Sequence, residues 1–407
     1  MSCAANDEEL IRGIYEGNFH VVKTALEAGA SVNGTPEQAC PPIVAATMAD
    51  HVGMVVFLLG EGVDPDTPVF ANNPCPTQNV APGERALHIA ARRGQVEIVR
   101  LLLERARADA NATDKRGYTP LMTVCRCHNV VCVESVRLLL EAGADPALAQ
   151  QETGSTPLHF AAEQGHIDLV DLLHSGAPAA LNRRESIGKT PLFFACFGGH
   201  ESVVSKLLSL GAMQRTLLDE IGMCPLMVAV AEGWMGMVRI LINEGGIRAV
   251  GGLMALPKSL YMAVCFRRAR ILRLLLALGG EEKRLEWANT DHAFSGRRLL
   301  DYAAACCYPA EVSVLLEAGA DEAVRDSRGR TARDAVGTVN GVCPRKVQIG
   351  RREGAALRRM LERGPAYRAR SWAWPSDDEE EADAGGRRGD DGVLLLLLLL
   401  LLPSLLR

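Results

Sequence analysis

The chain has 407 residues, beyond the roughly 250–300 at which a single hydrophobic core stops growing, so it is either several domains or an elongated array. Hydrophobic residues make up 48% and aromatics 5%, which predicts a core of Leu, Ala, Val and Met. A net charge of −5, from 44 basic and 49 acidic residues, lacks the basic excess that nucleic-acid binding favours.

At the N-terminus, Met1–Glu9 has neither a basic n-region nor an apolar h-region and does not read as a secretory signal. The twelve cysteines, scattered through apolar patterns, then read as reduced, buried thiols. Leu10, Gly13, Ile14 and Gly17 lead into Leu26-Glu27-Ala28-Gly29-Ala30, and Ile43, Ala46 and Thr47 lead into Leu58-Leu59-Gly60-Glu61-Gly62. From Ile43 the matching position is Leu87, about ten residues later than one period allows. The surplus, at about 63–84, carries Pro65-Asp66-Thr67-Pro68 and Asn72-Asn73-Pro74-Cys75-Pro76. It reads as a long exposed loop, either a contact or a tolerated insertion.

From Leu87 the same leucine returns at Leu121, Leu158, Leu192, Leu226 and Leu260, in steps of 34, 37, 34, 34 and 34. The clearest copy runs from Gly154-Ser155-Thr156-Pro157-Leu158-His159 to Leu172-Leu173. Thr-Pro opens a helix, because the hydroxyl caps orphan amides and Pro occupies a first turn that needs no donor. Leu158, Ala161 and Ala162 share one face, the alanines allowing close approach. Val170, Leu172 and Leu173 edge a second helix, which Gly176 is expected to end in a left-handed cap, as Gly143, Gly211 and Gly319 do in their copies. One such pair cannot bury its own apolar face; stacked neighbours can.

The step from Leu121 to Leu158 carries three extra residues around Cys127–Cys132. Cys125, Cys127, His128 and Cys132 do not have zinc spacing, since a helix turns Cys127 away from Cys125 and His128 and no second ligand pair follows. The step from Leu260 to Leu300 is 40 residues, with the excess near Glu281–Trp287, and Arg267 stands where other copies have the inter-helix glycine. Leu300, Ala303 and Ala304 then lead into Leu315-Leu316-Glu317-Ala318-Gly319-Ala320-Asp321, and Gly329-Arg330-Thr331-Ala332-Arg333-Asp334-Ala335 is a truncated last copy.

Taken in phase, these copies resemble the ankyrin repeat family, whose pattern is Gly-x-Thr-Pro-Leu-His-x-Ala-Ala-x-x-Gly-His, then Val-x-x-Leu-Leu-x-x-Gly-Ala-Asp. Nine copies and a partial tenth cover roughly residues 6 to 362. The resemblance implies an all-α solenoid of stacked helix-turn-helix pairs with β-hairpin-like loops over residues 1–340. It also implies that His88 and His159 brace the turns by hydrogen bonds, and that a partner sits in a concave groove of loop tips and first helices. Carried onto this chain, the groove takes Arg92 and Arg93; Lys115, Arg116, Tyr118 and Arg126; Glu152, Thr153, Ser155, Glu163 and Gln164; Ile187, Lys189 and Phe197; and Ile221, Met223 and Glu232. That groove runs from basic to apolar, with Tyr118, Phe197 and Met223 as anchors. It suits a segment acidic at one end and apolar at the other.

Residues 345–370 are basic, with Arg345, Lys346, Arg351, Arg352, Arg358, Arg359, Arg363, Arg368 and Arg370 against Glu353 and Glu362. Ala355, Ala356, Leu357, Met360 and Leu361 give one apolar face, so 341–366 reads as a capping helix, or as a nuclear-import or anionic patch. Residues 367–407 read as a disordered tail: an acidic block from Asp377 to Asp383, beside which Ser376 suits an acid-directed kinase, and then Val393 and leucines 394–402. The ten apolar residues span about 15 Å as a helix, half a bilayer core. They read as a low-complexity expansion or an artefact of the gene model, with a membrane tether as the alternative.

There is no phosphate-binding loop, nucleophile elbow, kinase signature or His-Glu-x-x-His, and the repeats occupy the length a catalytic domain would need. The sequence therefore reads as a monomeric, non-catalytic scaffold without cofactors, in the cytoplasm or the nucleus, that binds protein rather than nucleic acid or membrane. A targeting subunit that brings substrate to a ligase or kinase is the alternative, and a membrane-tethered scaffold the third reading.

Overall fold

The computed structural model describes residues 3–35, 40–70, 80–127, 133–212, 223–245, 255–289, 298–325, 329–336 and 351–362. Ile221, His128, Cys132, the middle of the 63–84 insertion and the tail from 363 onward lie outside the described residues. The described residues form helices and turns with no extended strand. They fall into two compact units, Met1–Ala212 and Met213–Arg407, each taken by itself.

The first unit is a row of helix pairs: α1 (Cys3–Tyr15) and α2 (Phe19–Glu27), α3 (Pro42–Met48) and α4 (Val52–Gly60), α5 (Ala86–Arg93) and α6 (Val96–Arg100), α7 (Pro120–Cys125) and α8 (Val133–Glu141), α9 (Pro157–Gln164) and α10 (Ile167–Gly176), α11 (Pro191–Gly198) and α12 (Glu201–Ser209). The Thr-Pro starts behave as their chemistry requires. Thr119 Oγ1 accepts from the Met122 amide at 3.3 Å and Thr190 Oγ1 from the Phe193 amide at 3.4 Å. The first helices stack one on the next through Leu87, Ala90, Ala91, Leu121, Cys125, Leu158, Ala161, Ala162, Leu192, Ala195 and Cys196, each 1% exposed or less. Cys125 and Cys196 thus fill alanine positions, and burial pushes the Cys125 thiol well above its ordinary value.

Two periodic hydrogen bonds join neighbouring pairs. The last carbonyls of a helix have no partner of their own. Here the residue after the inter-helix turn reaches back to them: His51 Nε2 donates to Tyr15 O (3.2 Å), Gln95 to Thr47 O (2.9 Å), His166 Nε2 to Cys127 O (2.7 Å) and His200 Nε2 to Glu163 O (2.9 Å). A second clamp joins the outer loops. Asn33 Oδ1 accepts from the Asp64 amide (2.7 Å), and Asn111 Oδ1 accepts from the Asp145 amide (2.8 Å) while its Nδ2 donates to Gly143 O (2.9 Å).

Some local features depart from the expected period. Gly143, Gly211 and Gly319 are left-handed, with φ of 88°, 92° and 95°. Gly176 is not: it stays in the last turn of α10, and the chain leaves through a 3-10 turn, Pro178–Asn182. Its missing side chain serves close packing instead, because a Cβ would lie 2.8 Å from Pro146 Cγ. After α6 the helix widens into a π turn, Leu101–Arg105, closed by the Ala106 amide on Leu101 O at 3.2 Å. The stretch Val96–Ala108 is one residue longer than its counterpart Val133–Ala144, and the π turn absorbs the surplus. Arg107 then takes the left-handed position that Gly143 fills next door, with φ of 55°.

The second unit holds α13 (Pro225–Glu232) and α14 (Met235–Gly245), α15 (Ala255–Cys265) and α16 (Ala269–Ala277), α17 (Gly280–Asn289), α18 (Leu299–Ala305) and α19 (Pro309–Glu317), α20 (Ala332–Ala335) and α21 (Arg351–Glu362). Arg268 repeats the reach-back bond, donating to Ala231 O (3.2 Å) and Glu232 O (2.7 Å). The excess near Glu281–Trp287 is a helix of its own, α17, which buries Trp287 and Ala288. At the start of α18, Arg298 and Asp301 form a buried two-pronged ion pair at 2.9 and 3.0 Å, and Arg298 also donates to Asp321 O and Val324 O, both at 2.8 Å. In α21, Leu357 and Leu361 are buried while Ala355 and Ala356 are exposed. Its apolar face is therefore narrower than the sequence suggests.

Candidate interaction surface

The loops that precede α7, α9 and α11 are tight hairpin-like turns. Each is closed by one backbone bond of 2.9 Å: Asp114 N–H to Tyr118 O, Gln150 N–H to Ser155 O, and Glu185 N–H to Lys189 O. A buried polar side chain holds each turn. Asp114 Oδ1 accepts from the amides of Arg116 (2.9 Å) and Tyr118 (2.8 Å), Gln150 Oε1 from the Thr153 amide (2.6 Å), and Glu185 Oε1 from the Lys189 amide (3.2 Å). The tips also bond to one another: Lys115 N–H to Pro82 O (3.2 Å), Gln150 Nε2 to Arg116 O, and Ser186 N–H to Thr153 O (2.7 Å). The result is a continuous, braced row of tips.

His88 and His159 lie beneath this row. The Arg85 amide donates to His88 Nδ1 (3.3 Å), and His88 Nε2 donates to Tyr118 O (3.0 Å). The Thr156 amide donates to His159 Nδ1 (3.1 Å), and His159 Nε2 donates to Arg183 O (3.1 Å). Each ring must accept at one nitrogen and donate at the other, so only the neutral form fits. Burial pushes both pKa values down to about 4, against the carbonyl bonds, which favour the proton. Both rings therefore brace the turns.

The groove residues named from the sequence divide on inspection. Lys115, Arg116, Glu152 and Ile187 are exposed, and Tyr118, Arg126, Thr153, Glu163, Gln164, Phe197 and Glu232 are half-buried. Ser155 (4% exposed), Lys189 (8%) and Met223 (5%) are buried and present no face to a partner. The Ser155 carbonyl closes its own turn, and the Lys189 ammonium lies 5.1 Å from the Phe193 ring. Arg92 is spent internally: it donates to both carboxylate oxygens of buried Glu84, at 3.1 and 3.3 Å, while Arg93 donates to Met48 O. Burial, opposed by Arg92, raises the Glu84 pKa. Sequence reasoning missed Glu84, whose role depends on a fold that returns Arg92 to it.

The aromatic side chains are better placed than the sequence alone shows. Tyr118 meets Phe160 with ring centroids 5.7 Å apart. The Arg126 guanidinium lies 4.2 Å over the Tyr118 ring and 5.8 Å from that of Phe160, and Arg116 stands 5.6 Å from Tyr118. One repeat on, Phe194 meets His159 at 5.7 Å and Phe193 at 6.2 Å. Phe160 and Phe194 were not among the named residues; their signal was an aromatic one position after the histidine slot of Thr-Pro-Leu-His. Among the described residues no group of three or more His, Cys, Asp and Glu side chains is placed to hold a metal ion, and no helix is long and apolar enough to cross a membrane. Cys127 donates its thiol proton to Thr123 O at 3.2 Å.

Residues 68–250 match the family model for ankyrin repeats, in overlapping windows at 68–150, 87–184, 134–216 and 158–250. The helix pairs, hairpin-like tips and braced turns over this stretch are thus ankyrin repeats. Protein–protein interaction is the role that such repeats imply. The chain is 40% identical over 105 residues to SMC5-SMC6 complex localization factor protein 1 of Bos taurus, and equally to that of Homo sapiens; the match covers 26% of this chain and 10% of theirs. It is 32% identical over 109 residues to alpha-latroinsectotoxin-Lt1a of Latrodectus tredecimguttatus, covering 26% of this chain and 7% of that protein. The matched segment is a tenth or less of these relatives' length.

Proposed function

We propose that the chain is a non-catalytic scaffold, and that a partner segment lies along the tips and first helices of the first unit. The observation that carries this reading is the braced row itself. Tip-to-tip hydrogen bonds hold exposed Ile187 and half-buried Tyr118 on a braced base, and half-buried Phe197 lies on the first helix behind them. Rigid presentation lowers the entropy a partner loses on binding. The proposal extends the solenoid over residues 1–340, with a location in the cytoplasm or nucleus. Replacing Tyr118 and Phe197 together by Ala should weaken capture of a partner isolated with the full chain by about tenfold or more, at the scale of two interface anchors. The thermal melt should stay within a few degrees. Unchanged affinity would remove the surface from consideration.

A second reading is a targeting subunit. It is favoured by one observation: two of the relatives bear the name of a localization factor for a protein complex. Imaging a tagged chain and its Tyr118→Ala, Phe197→Ala variant would separate the two readings, since a targeting subunit should relocate its partner when it is itself moved. A membrane tether through residues 393–402 is tested by truncation after Gly392 and fractionation; an unchanged distribution would discard it.

A further inference from the structure

We propose that Arg126, stacked on Tyr118 and flanked by Arg116, is a recognition site for an acidic side chain, aspartate or glutamate, of a bound peptide. An apolar residue further along the same peptide would lie toward Phe194, Phe197 and Ile187, two repeats on. The proposal rests on the reading that the tip row of the first unit holds a peptide, and it specifies which one.

Two cations, Arg116 and Arg126, face the Tyr118 ring, and the carboxylates in reach of this turn are Asp114, which takes the Tyr118 amide, and Glu84, paired with Arg92. Glu84 is engaged by Arg92 through both oxygens. Asp114 is engaged by two backbone amides of its own turn and stands 3.7 Å from Arg116. Neither is left for Arg126. The Arg126 amide donates to Met122 O, but among the described residues its guanidinium has ring contacts and no hydrogen-bond or ion-pair partner. A guanidinium carries five N–H donors in one plane. The aromatic rings meet the guanidinium and leave those donors unused, so the stack fixes its orientation and presents a fork that fits a carboxylate edge-on. Half-burial removes part of the water that would otherwise serve the charge, which raises the gain from an incoming anion.

The apolar half follows from register. Phe160 of α9 meets Tyr118, and on the repeat after α9 Phe194 and Phe197 are half-buried and Ile187 is 41% exposed. Cation surplus and apolar strip lie two repeats apart on one braced row, with the α9 repeat and its Glu152 and Glu163 between them.

The test is selection of random twelve-residue peptides on the full chain, followed by fluorescence polarisation with individual peptides. Selected peptides should share an Asp or Glu at a fixed spacing from an aliphatic or aromatic residue. Changing that acid to its amide should weaken binding at least tenfold to the wild-type chain but less than twofold to Arg126→Gln. The Arg126→Lys chain should fall between them, because it keeps the charge but loses the fork. Arg116→Gln, at an exposed position, should weaken the acidic peptide a few-fold and leave the melt unchanged. If selected peptides depend on Tyr118 and Phe197 but carry no shared acid, the acidic site is wrong and the peptide surface stands. If no selected peptide depends on Tyr118 or Phe197, both are wrong. A phosphoserine peptide bound tenfold more tightly than its glutamate counterpart would overturn the carboxylate assignment in favour of phosphate.

Discussion

Protonating His88 and His159 should loosen the first unit over a defined pH window. Each ring accepts an amide N–H at Nδ1 and donates at Nε2 to a carbonyl of a neighbouring loop. A proton on Nδ1 destroys the acceptor and places a charge in a buried site, where Arg85, Arg92 and Asp114 act on His88 and Arg183 on His159. The folded pKa of each is held at about 4 against an ordinary 6.5. A depressed folded value means the unfolded chain binds the proton first. The stabilisation is thus fully present above pH 6.5 and is lost as pH falls toward 4. Going from pH 7 to pH 4.5 should cost about 2 kcal/mol per ring, approaching about 3 kcal/mol below pH 4. Glu84, with its raised pKa, acts in the opposite direction, so the comparison must be with a variant that keeps it. Denaturant unfolding of the full chain at pH 7 and 4.5 should show a larger loss for the wild type than for the His88→Gln, His159→Gln variant. Ring resonances in NMR should show these two histidines still neutral at pH 5.5. If either titrates near 6.5 in the folded chain, or if both proteins lose equal stability, the bracing argument fails.

Further outcomes follow from single positions. Arg107→Gly relieves a left-handed backbone at φ 55°, which costs an L-residue about 1–2 kcal/mol, less the entropy glycine adds to the unfolded chain. Stability should rise by about 0.5–1 kcal/mol in denaturant, and a loss would mean that the Arg107 side chain contributes more than its backbone costs. Arg298→Ala removes both guanidinium bonds from buried Asp301 and should destabilise the second unit by about 3–5 kcal/mol. A cost under about 1 kcal/mol, read by denaturant unfolding, would show that the ion pair is not what holds this turn.

Much of the fold is legible in the chain because its determinants are local. Thr-Pro caps, the Leu-Ala-Ala face and the left-handed glycines at 143, 211 and 319 act within a few residues, so a period in the sequence becomes a period in space. Where a local signal has two physical uses, only packing chooses between them. Gly176 resembles a cap, yet it stays in the last helical turn, and its missing side chain instead makes room for Pro146, whose Cγ a Cβ would meet at 2.8 Å. The residue added between Val96 and Ala108 gives no sign of whether it becomes a loop or the π turn it is. The site is less legible still, since exposure and charge balance are sums over neighbours from other repeats. Met223 and Lys189 occupy groove positions but are buried, and Arg92 is basic in the sequence yet neutralised by Glu84 eight residues earlier. Arg126 carries the same charge, but in the fold it has aromatic rings for company and no carboxylate, and no pattern in the sequence separates the two arginines.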